Sequence, residues 1–333
     1  MTAMARGSWI EVAARSALAV LVLVACSSDS TSIEGAPGAQ EVLGEQPGGA
    51  EPQLISFAEG SPATVYWDDA RQTLFIADND NNQIWKWDDA SGLSKYATTL
   101  DPGGEVAAGG SQVGQLIELA DGTLLVARFG KPGGGFGGIA WVRPDGSSGL
   151  VAGLEENLKR LGLTQAPDGT IYGTRFAPPP AMGMPPVGTV TRVELEGGET
   201  VLSEGFGKLI GLVTIGDTLY VSDQTAGVIY AAPLANLPAR AEDYALFAQL
   251  PVPDQVCVGP DGSIFSGQFQ GVPNSTDAIA IRQIHADGSV SKFIADPLVA
   301  KPSGVAYDPT QRRLFATDTG NVTQIGVHIF PVP

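Results

Sequence analysis

The chain has 333 residues, enough for one large domain or two small ones, and its 43 glycines and 24 prolines favour many short strands over long helices. A formal charge of −17, with no run among the 19 lysines and arginines, lacks the basic footprint of a nucleic-acid binder and excludes that class of partner. Only two cysteines are present and they are far apart, which excludes a CxxC redox or zinc motif.

Residues 1–25 read as an export signal: Arg6 and Arg15 accompany an apolar run over 16–25 that suits a signal core and is short for a membrane span. The run ends in Leu23-Val24-Ala25-Cys26, which resembles the bacterial lipobox, and that resemblance implies a lipid on the Cys26 sulfur. Each buried methylene of such a lipid contributes about 0.8 kcal/mol, and two or more chains hold a protein stably on a bilayer. The expected location is the cell envelope, with the membrane as partner through this anchor. Ser27 in place of Asp after the cysteine implies, by the same resemblance, the outer membrane where the cell has one. Cys257 is then left without a partner for an intramolecular disulfide. Residues 26–53, rich in Ser, Gly, Glu and Pro, form the lipidated cysteine and a flexible stalk.

Over 54–333 one pattern, a turn followed by a short apolar strand, recurs roughly every 45–50 residues. Its six copies lie at 73–77, 123–127, 170–174, 218–222, 263–267 and 313–317. Asp121-Gly122, Asp168-Gly169 and Asp261-Gly262 precede three of them and supply the positive φ of a tight turn, so their acidity is structural. Third strands follow at 83–87, 228–231 and 280–284, and fourth strands at 95–100, 150–154, 200–203, 244–250 and 290–294. The last repeat stops after its third strand, while 54–58 has a fourth-strand pattern with no repeat of its own. The spacing predicts an all-β, six-bladed β-propeller with four-stranded blades, its ring closed by an N-terminal strand that completes the last blade.

Pro302-Ser303-Gly304-Val305-Ala306-Tyr307-Asp308 and Ile76-Ala77-Asp78-Asn79-Asp80 look like NHL-type repeats, and 54–333 resembles the senescence marker protein/gluconolactonase superfamily. Further echoes are Trp67-Asp68, Trp87-Asp88 and Pro253-Asp254-Gln255-Val256-Cys257-Val258. The resemblance implies hydrolysis of lactones or related esters around one divalent cation held by a Glu, two Asn-type positions and an Asp. Matched by repeat, those positions fall at Ala63, Leu161, Ile210 and Asp223, of which only Asp223 can donate; Glu59 lies a few residues from the first. No metal site and no cofactor are expected on this matching, with Ca2+ the cation the resemblance would bring. His285 and His328, the only histidines, fall in a hairpin and a strand and are read as structural.

The residues just after each second strand are Asp78, Arg128, Arg175, Asp223, Gln268 and Asp318, a polar ring on the face that carries propeller sites and the candidate ligand-binding set. Two readings stand for its acidic members, ligand binding or capping of their own loops. Arg128 and Arg175 either clamp a small anionic molecule or pair with Asp78 and Asp223. Insertions at 130–138, 177–187 and 270–277 follow three of the positions, and the Pro- and Met-rich second one suits a lid or a ridge for an envelope protein. Trp67, Trp85, Trp87 and Trp141 are read as blade core. The functional expectation is a cell-envelope lipoprotein carrying a ligand-binding or protein-interaction propeller whose family metal site is lost. The alternative is a hydrolase or lyase with a rearranged site on the same face.

Overall fold

The computed structural model describes residues 42–43, 52–97, 112–130, 137–177, 186–268, 270–271, 279–295, 299–318 and 325–333. The export signal, Cys26, most of the stalk and most of the three insertions lie outside the described residues.

Six antiparallel sheets follow one another along the chain. Blade 1 is built from Pro62–Asp68, Thr73–Asp78, Gln83–Asp88 and Gly92–Ala97, and blade 2 from Gln112–Glu118, Leu124–Gly130, Gly138–Val142 and Ser148–Leu150. Blade 3 comprises Lys159–Gln165, Ile171–Ala177, Val187–Val193 and Glu199–Phe206; blade 4 comprises Leu209–Ile215, Thr218–Asp223, Val228–Pro233 and Ala245–Gln249. Blade 5 is Val256–Val258, Ile264–Ser266, Ala280–Ile284 and Val290–Ala295, whose outer edge is extended by the two-residue parallel strand Val42–Leu43. Blade 6 takes Pro302–Asp308, Arg313–Asp318 and Gly326–Pro331 from the C-terminal end of the chain and Gln53–Ser56 from the N-terminal end. Pairing of Gln53 with Ile329 and of Ser56 with Gly326 closes the ring as the repeat pattern requires and removes an open edge.

Period-two alternation explains why the sheets stack radially. On the second strand of blade 1, Phe75 and Ala77 join the core shared with blade 2, while Leu74 and Ile76 join the core shared with blade 6. Each of six apolar clusters fills one interface between consecutive blades, the last joining Ile55 and Val327 of blade 6 to Val65 and Trp67 of blade 1. Trp67 stacks on Phe315 at 5.2 Å and Trp85 meets Phe57 edge-on at 5.6 Å, so both tryptophans serve the closing interface.

Two outer strands differ from the sequence expectation. The strand expected at 95–100 starts earlier, at Gly92, because Asp88 accepts the Ala90 and Ser91 N–H groups and turns the chain there; residues 98–100 lie outside the described residues. The strand expected at 150–154 is Ser148–Leu150, followed by one more ladder bond from Val151 N–H to the Ile139 carbonyl.

Inner strands approach the axis through a repeated bulge. A glycine there lets the next blade's backbone come close: a Cβ on Gly114 would stand 2.1 Å from the Leu161 carbonyl oxygen, and one on Gly304 would stand 2.7 Å from that of Ala63. Hydroxyls from the second strands bond the same glycines. Thr174, Ser222 and Thr317 accept the N–H groups of Gly162, Gly211 and Gly304, each at 2.8 Å. All three also donate to the next blade, Thr174 to the Ile210 carbonyl at 3.5 Å, Ser222 to the Asp254 carbonyl and Thr317 to that of Ala63. The residues just before these bulges are thereby fixed around the axis.

Candidate functional site

Inner strands start on the face that carries the second-to-third-strand loops, here called the loop face; the opposite, hairpin face carries the short turns. In the six blades the position preceding the bulge is Ala63, Val113, Leu161, Ile210, Asp254 and Ser303. All six are buried or nearly so, and they form the mouth of the axial channel. Four are apolar. Leu161 and Ile210 also pack with Phe176 and Phe129, whose rings meet edge-on at 5.8 Å.

The two polar members are neighbours. Ser303 donates its hydroxyl to the Asp254 carboxylate at 3.1 Å, joining blades 5 and 6. Burial pushes the Asp254 carboxyl up to about 6, while the charge of Lys208 and the Ser303 hydroxyl act in the opposite sense. Lys208 lies on the short link into blade 4, two residues before Ile210, and is half-buried. Its Nζ donates to Gln224 Oε1 at 2.8 Å, and Gln224 Nε2 reaches the Pro253 carbonyl at 3.5 Å. Desolvation draws the Lys208 ammonium below its ordinary range, and the charge of Asp254 opposes that.

The approach to Asp254 is strained. Val252 has φ of 45°, in the left-handed region that a β-branched residue avoids, and Pro253 follows it. Beneath the mouth, Gln115 reaches across the axis from blade 2 to donate to the Val256 carbonyl of blade 5 at 2.8 Å. Its Oε1 accepts Leu163 N–H and Leu212 N–H. Gln255 completes this floor by accepting the Thr64 hydroxyl at 2.6 Å. On the hairpin side of the floor the axis widens into a cavity of about 240 Å³ lined mainly by Val, Leu and Ile.

The polar ring read from sequence lies at the loop-face ends of the second strands, where Asp78, Arg175, Asp223, Gln268 and Asp318 are bonded within their own blades. Asp78 accepts Ser61, Asp80 and Asn81 N–H and the Trp85 indole. Asp223 accepts Gly207, Thr225 and Ala226 N–H, and Asp318 accepts Ala300 and Lys301 N–H. Each carboxylate thus pins the start of its inner strand, and in Asp78 and Asp223 the following loop as well. Arg175 binds Glu199 at 2.6 Å and Thr189 at 3.2 Å and lies 3.7 Å from the exposed Glu155, so its ionic partners are Glu199, which also binds the buried Arg160, and Glu155, not Asp223. Gln268 accepts from Ala280 N–H and Arg282. Arg128 is buried on its strand, opposite Val113 and Gly138.

The acidic member of the ring that contains Ala63, Leu161 and Ile210 is therefore Asp254, not Asp223. Asp254 and Lys208 escaped the sequence reading; aligning the six inner-strand starts, with Pro253-Asp254-Gln255 set against Pro302-Ser303-Gly304, is the signal that exposes the first of them. Glu59 is exposed before blade 1. His328 is buried and stacked on Phe330, with burial lowering its pKa, and His285 bonds Ser291 beside a hairpin.

The donors at the mouth do not fit a divalent cation of the calcium type. Such an ion takes about six to eight oxygens, whereas the ring offers one carboxylate and one hydroxyl among four aliphatic side chains. Among the described residues no three His, Cys, Asp or Glu side chains converge as ligands.

A six-bladed propeller with an enclosed polar pair at the loop-face mouth is a scaffold for small-molecule sites. The family profile of the SMP-30/Gluconolactonase/LRE-like region matches residues 61–320, and the chain belongs to this family. Among solved structures it is similar to a gluconolactonase from Xanthomonas campestris, with 19% identity and a TM-score of 0.62 over 84% of this chain and 89% of that one. It is also similar to a calcium-binding regucalcin from Agrobacterium tumefaciens, with 15% identity and a TM-score of 0.59 over 84% and 96%. A virginiamycin B lyase from Staphylococcus aureus gives 12% identity and a TM-score of 0.58 over 85% and 99%. At these identities the structural likeness carries the fold alone. Comparison with curated proteins gives no match.

Proposed function

We propose that the protein is a lipid-anchored envelope propeller that binds a small hydroxylated molecule at the loop-face mouth without a catalytic metal. The observation that carries this reading is the Asp254–Ser303 pair set in an otherwise apolar ring, where one hydrogen-bonding group is buried beside aliphatic and aromatic walls. The apolar identities of Ala63, Leu161 and Ile210 support loss of the metal centre that the family resemblance implies.

A second reading, hydrolysis of a lactone, is favoured by the elevated Asp254 pKa of about 6, which suits a general base near neutral pH. In that reaction the carboxylate takes a proton from water as the water oxygen bonds to the carbonyl carbon. The ring C–O bond then breaks, and the leaving alkoxide recovers the proton.

Glucono-δ-lactone separates the two. Proton release in excess EDTA that is lost in Asp254→Asn makes the protein a hydrolase; thermal stabilisation by the product gluconate without turnover makes it a binding module. Neither response from the mature protein would sink both. The anchor is tested by Cys26→Ser, which should abolish palmitate labelling and move the protein from membranes to the soluble fraction. Unchanged labelling would overturn the lipoprotein reading.

A further inference from the structure

We infer that Lys208 supplies the fixed positive charge at the mouth in place of a divalent cation, and that the ligand presents a carboxylate or carbonyl oxygen to Lys208 and a hydroxyl to Asp254. The inference rests on the ligand-binding reading above and adds the chemistry of the ligand.

Four observations converge. Three of the positions that the family resemblance gives to metal ligands, Ala63, Leu161 and Ile210, have no side-chain oxygen, so the ring lacks the oxygen-rich set of side chains a divalent cation takes around Asp254. A buried carboxylate without a counter-charge is costly, and the cation that acts on Asp254 is Lys208. Lys208 is linked to the Asp254 segment through Gln224, which takes one ammonium proton at 2.8 Å and reaches the carbonyl of Pro253, the residue before Asp254, at 3.5 Å. The segment carrying Asp254 is entered through Val252, whose φ of 45° is a left-handed conformation that a β-branched residue avoids.

Lys208 and Asp254 each act on the other's charge, yet among the described residues no ion pair within 4.0 Å joins them. An ammonium has three donors, and Gln224 takes one. A small molecule between the two side chains would satisfy a further donor of Lys208 with an oxygen and the Asp254 carboxylate with a hydroxyl. The apolar walls at Leu161, Ile210 and Phe176 strengthen both contacts by excluding water. Hydroxylated carboxylates and their cyclic esters have this pairing of groups; simple apolar compounds and polyamines do not.

The test has two arms on the detergent-purified mature protein. In the first, metal content is measured and melting is followed in excess EDTA and in excess calcium chloride. The expected result is no stoichiometric metal and the same Tm in both. One calcium per chain, or a calcium-dependent rise in Tm that Asp254→Asn removes, would overturn the inference. In the second arm, gluconate is the probe. Lys208→Met should weaken its binding more than tenfold, as expected when one partner of a desolvated charged contact is removed, while Lys208→Arg retains part of it. Equal gluconate binding by wild type and Lys208→Met would also overturn the inference. If wild type fails to bind gluconate while the first arm gives no metal, the ligand chemistry assigned to Lys208 falls, and the glucono-δ-lactone assay decides separately whether the binding reading falls with it.

Discussion

On the hairpin face, Asp121, Asp145, Asp168 and Asp287 are exposed, and each accepts the backbone N–H two residues on at 2.9 Å. Their pKa values are lowered, Asp121 and Asp168 chiefly by that backbone bond and Asp145 and Asp287 chiefly by the hydroxyl of Ser147 or Ser289. At the loop-face mouth, Asp254 is buried, accepts a hydroxyl from a neighbouring blade, and has a raised pKa. The same side chain therefore has its pKa lowered where it is solvated and bonded to its own turn, and raised where it is buried. Much of the net negative charge says little about ligands; one buried carboxylate says more.

Glycines give the largest expected contrast between the two faces. At the mouth, a Cβ on Gly114 would lie 2.1 Å from the Leu161 carbonyl oxygen and 2.4 Å from its Cα, backbone atoms that cannot swing aside. Gly114→Ala should therefore destabilise by about 3 kcal/mol or more, at the upper end of overpacking costs, and displace Leu161 from the ring. On the hairpin face, Gly92 has φ of +69° and open space around its Cβ position, so Gly92→Ala should cost only the left-handed penalty of about 1–2 kcal/mol. Chemical denaturation of both variants checks the order. Equal losses would mean that the inner strands can part without breaking the ring.

How much of this was legible in the sequence follows the same division. Turn glycines and aspartates carry their conformation in their identity, so Asp121-Gly122 and Asp168-Gly169 announced hairpins, and the unpaired apolar run before the first repeat announced the closing strand Gln53–Ser56. The polar ring from Asp78 to Asp318 was legible as a ring because its members occupy equivalent strand ends. Which polar atoms remained open was not legible, since this depends on bonds such as Ser61 N–H to Asp78 and Arg175 to Glu199, which join residues 17 and 24 apart in the chain. Asp254 was hidden for a different reason. Its stretch, Pro253-Asp254-Gln255-Val256-Cys257-Val258, carries the family resemblance, but matching by repeat gives the acidic position to Asp223, and the burial of Asp254 arises from inner strands that meet at the axis.

The raised pKa of Asp254 makes stability depend on pH. A carboxyl whose pKa in the folded protein is about 6, above its ordinary 3.8, binds a proton more tightly when folded, so it favours folding less as pH rises between those two values. At pH 8 the ionised group should cost about 3 kcal/mol relative to pH below 4. Asp254→Asn removes that titration. The difference in stability between variant and wild type should therefore shift in the variant's favour from acid to pH 8, with the change concentrated between about pH 4 and pH 6. Thermal melts across that range check it. A flat difference would mean that Lys208 and Ser303 fully offset the burial of Asp254, which would bring the mouth closer to the hairpin face in character.

The smallest expected effect belongs to the turns, and it has the opposite sign with pH. Asp168 is exposed, accepts the Thr170 backbone N–H, and has its pKa lowered chiefly by that bond, with the Thr170 hydroxyl adding to it. A depressed carboxyl stabilises the fold above its unfolded value and loses that contribution as pH falls through the folded one. Asp168→Ala should thus lower Tm slightly at pH 7 and make almost no difference in acid, because the wild-type carboxyl is then protonated as well. Asn in place of Ala should restore most of the loss at pH 7, since an amide oxygen accepts the same N–H and the turn still has Gly169 at φ of +88°. Gluconate binding should be untouched by either change, because Asp168 stands on the face opposite the mouth. A loss of binding in Asp168→Ala with Tm preserved would break the comparison, since it would give a hairpin-face aspartate the role assigned here to Asp254.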